Sequence, residues 1–571
     1  MSLDLFLKTK RNGSSGLLRR SLKRLSSTWA YSPVRRIVQT LCFALFVILF
    51  FYVCWPYSAQ PGHYADELRG KEVIDAESFL ALDPLVSISA ALAAKAWVWS
   101  LAWAAALLAA CLVFTRGFCG YVCPMGTLID LFDWVVGKRV KRFRTERRGW
   151  WVNLKYYVLL GTLLAALRGV TLSGWVAAIP VLTRGMQFIF APLQMGSMRG
   201  WHQVPYMNPG HTVSIVLFVA VLALGLLQPR FWCRYVCPSG AIFSVFNLFR
   251  LSERKVIEAC TECGKCVKAC PFDAINADVS TRTADCTFCQ TCGGACPEEA
   301  IHFTSRWQRS GGRPRPLSSS DGPSRRGFLV ASGSALLVAW IARKSSAGLP
   351  AVVRPPGSLP EAQFLSLCVR CGECFKVCPN NVLQPAGFER GVDELWTPKV
   401  VANWSGCEAS CNACGQVCPT GAIRPLPLDE KKCARMGRGI VDLEQCLPHA
   451  GSEACQMCVD ECKSAGYDAI EFMRVRVETD DNGLPVEGSG FAAPVVLADK
   501  CVGCGLCQTR CYQINVKSKH LLGASAIIIE AGEGKEDRLV SGSYRELRAK
   551  EAAARTKKQT EPEKYLPDFL K

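Results

Sequence analysis

Cys368-Val369-Arg370-Cys371-Gly372-Glu373-Cys374-Phe375-Lys376-Val377-Cys378-Pro379 sets four cysteines two, two and three residues apart, ahead of a proline. The same C-x2-C-x2-C-x3-C-P pattern recurs at Cys260/Cys263/Cys266/Cys270 and at Cys286/Cys289/Cys292/Cys296. Cys501/Cys504/Cys507/Cys511 keeps the spacing but is followed by Tyr512. Cys407/Cys411/Cys414/Cys418 and Cys446/Cys455/Cys458/Cys462 are stretched at the front. These six groups of four take 24 of the 32 cysteines. Three thiolates two residues apart wrap one face of a cubane, and the fourth reaches a second cubane in two-cluster ferredoxins. The spacing therefore predicts six [4Fe–4S] clusters and the movement of single electrons.

Rival uses of cysteine fit poorly. Zinc sites favour separated C-x2-C knuckles, and disulfide frameworks belong to short secreted chains, whereas this chain has 571 residues. A c-type haem is excluded because no C-x-x-C-H occurs. The formal charge of +19 invites nucleic acid as a partner. Six oxidised cubanes would offset roughly 12 of those charges, and no basic nucleic-acid module is present. Half the chain is hydrophobic, with 15 Trp and 27 Phe, which suits a protein partly in a bilayer.

Residues 1–36 read as a basic cytoplasmic segment. Residues 37–249 read as an α-helical membrane domain with four spans: Ile37–Tyr57, Ala96–Phe114, Trp151–Leu167 and Thr212–Gln228. Val170–Leu193 is apolar but interrupted by Pro180, Arg184 and Gly185, and is expected to be re-entrant or interfacial. The first loop is acidic (Asp66, Glu67, Glu72, Asp75, Glu77, Asp83), and the second is basic from Arg116 to Arg148. Lys and Arg mark the inner face, so four crossings return the chain to the cytoplasm near Arg230. Residues 250–306, a two-cluster ferredoxin domain, are then cytoplasmic.

Residues 307–347 combine a linker with Ser324-Arg325-Arg326-Gly327-Phe328-Leu329 and a short apolar run. This resembles a twin-arginine export signal, the alternative being a fifth membrane anchor. Both place residues 348–545, a four-cluster domain, in the periplasm. Ser345-Ser346-Ala347 offers a small-residue cleavage site that would divide the chain. Residues 546–571 read as a charged tail, starting from a solvated helix near Tyr544.

Two repeats stand out. The ferredoxin unit often ends in Pro-x-x-Ala-Ile, at Pro271–Ile275, Pro297–Ile301 and Pro419–Ile423, as an apolar strand against the cluster. The overall fold class is thus a helical membrane domain plus α+β ferredoxin-like domains with repeated 4Fe-4S-binding units. In the membrane part, Arg116-Gly117-Phe118-Cys119-Gly120-Tyr121-Val122-Cys123-Pro124 matches Arg230-Phe231-Trp232-Cys233-Arg234-Tyr235-Val236-Cys237-Pro238. Two related hairpins are expected to bring Cys119, Cys123, Cys233 and Cys237 together at the inner face. Those thiols bind a metal or cluster, form a redox pair, or are structural. Cys42, Cys54 and Cys111 read as core residues, and Cys433 as a spare ligand should Cys446 not serve.

On these motifs, residues 37–305 resemble the NapH-type membrane ferredoxin subunit of a quinol dehydrogenase serving periplasmic nitrate reductase. Residues 324–520 resemble its NapG-type four-cluster partner, itself similar to MauM of methylamine utilisation. The membrane half also resembles part of the regulator NosR, without space at residues 58–89 for that family's flavin domain. The resemblance implies electron transfer between the membrane quinone pool and a periplasmic oxidoreductase or cytochrome, as a component of a quinol dehydrogenase-type system. Alternatives are a NosR-like electron donor in maturation of a metalloenzyme, or acceptance of electrons from a periplasmic dehydrogenase. A quinone site needs a proton acceptor beside an apolar slot, for which His202, His211 and Arg184 are candidates.

Related four-cluster subunits also imply exchange of fourth cysteines between first and last groups and between the two middle ones. Cys378 would complete Cys501/Cys504/Cys507, Cys511 would complete Cys368/Cys371/Cys374, and Cys418 and Cys462 would swap between the stretched groups. Adjacent pairing is the alternative. In the shorter domain, Cys296 is expected to complete Cys260/Cys263/Cys266, and Cys270 to complete Cys286/Cys289/Cys292.

Overall fold

The computed structural model describes residues 27–53, 78–140, 150–308, 351–480 and 486–560, apart from a few single positions. The expected export signal, its cleavage site, most of the acidic and basic loops and the ends of the chain lie outside the described residues.

A helical bundle forms the centre. Its helices are α1 (Pro33–Val53), α2 (Pro84–Ala94), α3 (Ser100–Val113), α4 (Pro124–Phe132), α5 (Leu154–Leu167), α6 (Ala178–Arg199), α7 (Pro209–Ala223) and α8 (Pro238–Phe246). Among the described residues, two stretches are long and apolar enough to cross a membrane, Pro33–Phe51 and Pro209–Leu226. Two of the four expected spans pass this test among the described residues; α3 is 14 residues and Trp151–Leu167 is a shorter apolar helix.

Val170–Leu193 also differs from expectation. It is not broken at Pro180, Arg184 or Gly185, because α6 runs through all three for 22 residues. Pro180 sits in the first turn, where a missing N–H costs little. Gly185 is required by packing, since a Cβ there would strike the Phe218 ring. Arg184 is buried with its guanidinium 4.0 Å over the Trp396 ring and donates to the Gly174 carbonyl at 2.7 Å.

Two ferredoxin units cap opposite ends of the bundle. At the N-terminal end of α1, Ser32 and Thr291 hydroxyls bond at 2.9 Å, and Arg35 donates to the Gly120 carbonyl at 3.1 Å. At its other end, Lys376 Nζ lies 4.6 Å over the Phe50 ring. The 21 residues of α1 span about 31 Å. Helix α7 repeats the arrangement: Trp396 Nε1 donates to Gly210 near its start at 2.8 Å, and beyond its end Arg230 stacks on Phe272 at 4.4 Å.

The inner unit, residues 250–306, carries one antiparallel pair, β1 (Ser252–Val256) with β2 (Ile301–Ser305). The outer unit, residues 351–545, has three further pairs: β3 (Leu383–Pro385) with β4 (Pro398–Val400), β5 (Arg438–Val441) with β8 (Ile527–Glu530), and β6 (Ile470–Val475) with β7 (Phe491–Val496). The helix Tyr544–Thr560 is not fully solvated as expected. Tyr544 is buried, and Arg548 pairs with Asp537 on the outer unit.

Two glycines permit the docking. A Cβ on Gly174 would fall on the Val369 carbonyl, and one on Gly294 would fall on the Tyr31 carbonyl. Gly174→Ala is expected to loosen the outer unit at a cost of about 1–3 kcal/mol. Limited proteolysis of detergent-solubilised protein should then cut faster around residues 366–370 than in wild type.

An ion-pair cluster closes the outer unit on itself. Glu361 accepts from Arg354 at 2.6 Å and pairs with Arg538. Burial pushes the Glu361 carboxyl up, but the two guanidinium groups outweigh it and hold it below the usual glutamate value. This contribution is complete above an unfolded value of about 4.3 and disappears as pH falls through the lower folded one. Glu361→Gln is therefore expected to be less stable than wild type at pH 7, with the gap closing on acidification. Unfolding monitored by circular dichroism across a pH series measures it.

Candidate iron–sulfur centres

Left-handed turns shape the three groups of regular C-x2-C-x2-C-x3-C-P spacing. Glu262, Phe288 and Arg370 lie at φ near +53°, +55° and +53°, one residue before the second cysteine. A short helix then carries the third cysteine, and the fourth follows as its C-cap or just beyond it. The repeated Ala-Ile tail does more than pack. Its amides reach the fourth thiol of the preceding motif: Ala274 N to Cys270 Sγ at 3.3 Å, Ile423 N to Cys418 Sγ at 3.5 Å and Ala469 N to Cys462 Sγ at 3.3 Å. Such N–H bonds to sulfur stabilise the thiolate and tune a cluster's potential.

The thiols gather into six sets of four. In the inner unit, Cys260, Cys263, Cys266 and Cys296 line one hollow, and Cys270, Cys286, Cys289 and Cys292 line another. This is the exchange of fourth cysteines that the spacing predicts. In the outer unit the exchange is between neighbouring groups, and the first-with-last pairing is corrected. Cys418 joins Cys368, Cys371 and Cys374, while Cys378 joins Cys407, Cys411 and Cys414. Cys462 joins Cys501, Cys504 and Cys507, and Cys511 joins Cys446, Cys455 and Cys458. Cys433 packs instead beside Leu426 and Tyr544, so Cys446 needs no substitute.

The four outer sets form a row. The first set touches the bundle, where Thr183 Oγ1 donates to the Cys371 carbonyl at 2.8 Å and Cys371 shares the bundle core. Cys374 of this set faces Cys414 of the next. The Cys407 amide bonds the Cys504 carbonyl at 2.7 Å, linking the second set to the third. Cys507 faces Cys458, linking the third set to the last. The Cys446 set therefore stands farthest along the row from the bundle.

The donor sets fit anionic clusters. Buried guanidinium nitrogens beside them have no hydrogen-bond partner: Arg35 Nη1 near Cys289, Arg254 Nε and Nη2 near Cys286 and Cys292, and Arg184 Nε and Arg370 Nε near Cys368. Cluster sulfurs supply acceptors for such groups. Burial pushes the Cys411, Cys458 and Cys504 thiols up to about 12, so ligation must displace their protons and acid opposes it. When bound, the clusters supply one-electron carriers, and the chain's own residues position them, cover them and set their charge.

The quinone candidates sit near the outer end of the bundle. His211 is buried at the start of α7, where it forms a capping box with Asn208 and lies 4.6 Å from the Phe188 ring. His202 is exposed in the short helix Trp201–Gln203. Arg184 lies under Trp396 and also donates to the Arg370 carbonyl, so at least part of its role is to hold the first outer set against the bundle. Trp396, unnoticed in the sequence, bridges Arg184 and the Gly210 carbonyl beside His211.

Family models for 4Fe-4S binding domains match residues 96–142, 211–256 and 255–276, and a 4Fe-4S dicluster domain matches residues 367–422. The dicluster span covers the first two outer groups, in keeping with their mutual exchange. No solved structure matches the chain. It is 36% identical over 181 residues to the methylamine utilization ferredoxin-type protein MauM of Methylophilus methylotrophus, covering 31% of this chain and 72% of that protein. MauM of Methylorubrum extorquens is 36% identical over 196 residues, covering 34% of this chain and 81% of the relative. The ferredoxin-type protein NapG of Escherichia coli is 36% identical over 188 residues, covering 32% and 75%. With cysteine sets, family models and relatives in agreement, the chain belongs to the MauM and NapG family of iron–sulfur, ferredoxin-type electron-transfer proteins.

Proposed function

We propose that the chain is a multi-pass protein of the bacterial inner membrane that passes single electrons between the quinone pool and a periplasmic redox enzyme, with six [4Fe–4S] clusters as carriers. The observation that carries this reading is the placement of two ferredoxin units at opposite ends of a bundle about one bilayer thick. Two of its helices are apolar enough to span, and buried Arg35, Arg116 and Arg230 gather at the end next to residues 250–306. On this reading residues 250–306 are cytoplasmic and residues 348–571 periplasmic. Quinone would bind near His202, His211 and Arg184, and the partner would dock at the far set, Cys446/Cys455/Cys458/Cys511. The resemblance to NapH-type and NosR-type membrane subunits belongs to the same proposal.

A second reading reverses the flow, with electrons arriving from a periplasmic dehydrogenase. The MauM relatives favour it, since their name ties them to methylamine utilization.

Membranes isolated without oxygen test both. The purified chain is expected to hold no fewer than about 24 iron atoms, four for each of the six sets, with matching acid-labile sulfide. Quinol should reduce the clusters, read by low-temperature EPR, and a periplasmic acceptor should reoxidise them. A colourless, zinc-loaded protein, recovery from the soluble fraction, or clusters untouched by quinol and quinone alike would overturn the proposal.

A further inference from the structure

The row of cluster sites is interrupted by the bundle. Inside that gap, the two Cys-x3-Cys-Pro motifs meet. Each motif enters through a buried arginine in the left-handed region, Arg116 at φ 48° and Arg230 at φ 57°. A π turn follows, Phe118–Val122 in one copy and Trp232–Val236 in the other. Cys123 then caps α4 and Cys237 caps α8, where Cys237 Sγ accepts from the Gly240 amide at 3.4 Å.

The copies interlock. Arg230 donates to the Gly126 carbonyl at 3.3 Å, and Arg116 Nη2 stands 3.2 Å from where a Gly240 Cβ would be. Cys123 and Cys237 are buried in one continuous core, with Cys119 and Cys233 packed against it. Cys119, Cys123 and Cys233 lie within electrostatic range of one another, and Cys237 within range of Cys119 and Cys233.

Two observations point to a guest. Arg116 Nε and Trp232 Nε1 are buried with no hydrogen-bond partner, and Trp232 precedes Cys233. The buried cations Arg116, Lys155 and Arg230, with Arg35 nearby, outnumber the neighbouring carboxylates Asp83, Asp130 and Asp285 by one, a balance that favours an anionic guest.

The position is also that of a relay. Thr287, beside the Cys286/Cys289 set, packs on Gly120, and Arg116 pairs with Asp285 at 3.7 Å. In the other direction α2 leads away from Asp83, which bonds Ser239 at 3.0 Å next to the thiols. The far end of α2 meets Gly169, and residues 171–174 then touch Ser366 and Val369 of the first outer set. Eleven residues of α2 bridge about 16 Å.

We propose that Cys119, Cys123, Cys233 and Cys237 together bind a seventh iron–sulfur cluster, shared between the two motifs and relaying electrons between the inner and outer units. Each matched 4Fe-4S segment of the bundle contributes only two of its four thiolates. One electron enters from the cluster on one side and one leaves to the cluster on the other, so no bond changes and no further reactant is required. This rests on the six-cluster reading above.

The test uses the full chain, purified anaerobically in detergent. Wild type is expected to carry about two to four iron atoms beyond the 24 of the ferredoxin sets, depending on nuclearity. The double variant Cys123→Ser/Cys237→Ser should lose that increment alone, with the EPR signals of the six sets retained. Cys111→Ser, a bundle thiol outside the set, should lose none. In proteoliposomes the double variant should no longer carry electrons from a reductant on one face to an oxidant on the other. About 24 iron atoms in wild type, or zinc or a disulfide at the bundle thiols, would overturn the seventh cluster and leave the six intact. Far fewer than 24 would fail the underlying reading instead. Should the double variant misfold, the wild-type count still decides.

Discussion

Stripping iron from the solubilised protein with chelator and oxidant is expected to unfold residues 351–545 while the bundle helices persist. The outer unit has little else to hold it. Its sheets are isolated two-stranded pairs of three to six residues, marginal by themselves. In the core around Ile470 and Ile527, six of the eleven buried residues are cysteines. A structural zinc contributes on the order of 10 kcal/mol to the fold it holds, and a whole domain is stable by about 5–15 kcal/mol. Losing even one cluster of this kind should therefore collapse its neighbours. Protease resistance of the outer unit, followed against iron content with helix signal recorded by circular dichroism, checks it. Native-like resistance after complete iron loss would contradict the account.

Asp130→Ala is expected to destabilise the bundle by about 3–5 kcal/mol. Asp130 accepts from Arg230 at 2.6 and 2.8 Å and from Arg36 at 2.6 Å, with Arg35 at 3.6 Å. Arg35 and Arg230 are almost fully buried. Removing the carboxylate leaves several cations facing one another without a counter-charge. Asp130→Asn keeps acceptor geometry without charge and should fall between. Thermal unfolding of the three proteins in one detergent orders them, and an alanine variant within about 1 kcal/mol of wild type would show the pair to be dispensable.

Much of the site was legible because cluster chemistry is written locally. The interval between cysteines fixes which three thiols face one cubane, and the proline marks the fourth. What spacing leaves open is the destination of that fourth thiol. Cys378 ends up with Cys407 because the chain between them folds back as the β3–β4 hairpin, a long-range choice that no motif encodes. The helical bundle was read less well. Helix α2 escaped notice because the 11 residues of this apolar helix are too few to read as a span, although most of them are buried. Arg184 and Gly185 suggested a break because their partners, Trp396 and Phe218, are distant in sequence. Trp396 itself carried no signal, since its role depends on two units meeting.

The crossed arginines make the two halves of the bundle depend on each other. Arg116 reaches the glycine after the second motif, and Arg230 reaches the glycine after the first. One hairpin on its own would supply a cationic arm with nothing to grip and two thiols where four are wanted. Either half alone could make these contacts only with a second copy of itself, whereas here one polypeptide supplies both sides of the handshake. Outside the shared residues the copies differ: Gly120 and Arg234 occupy matching places, one leaning on Thr287 and the other on the Pro271 carbonyl.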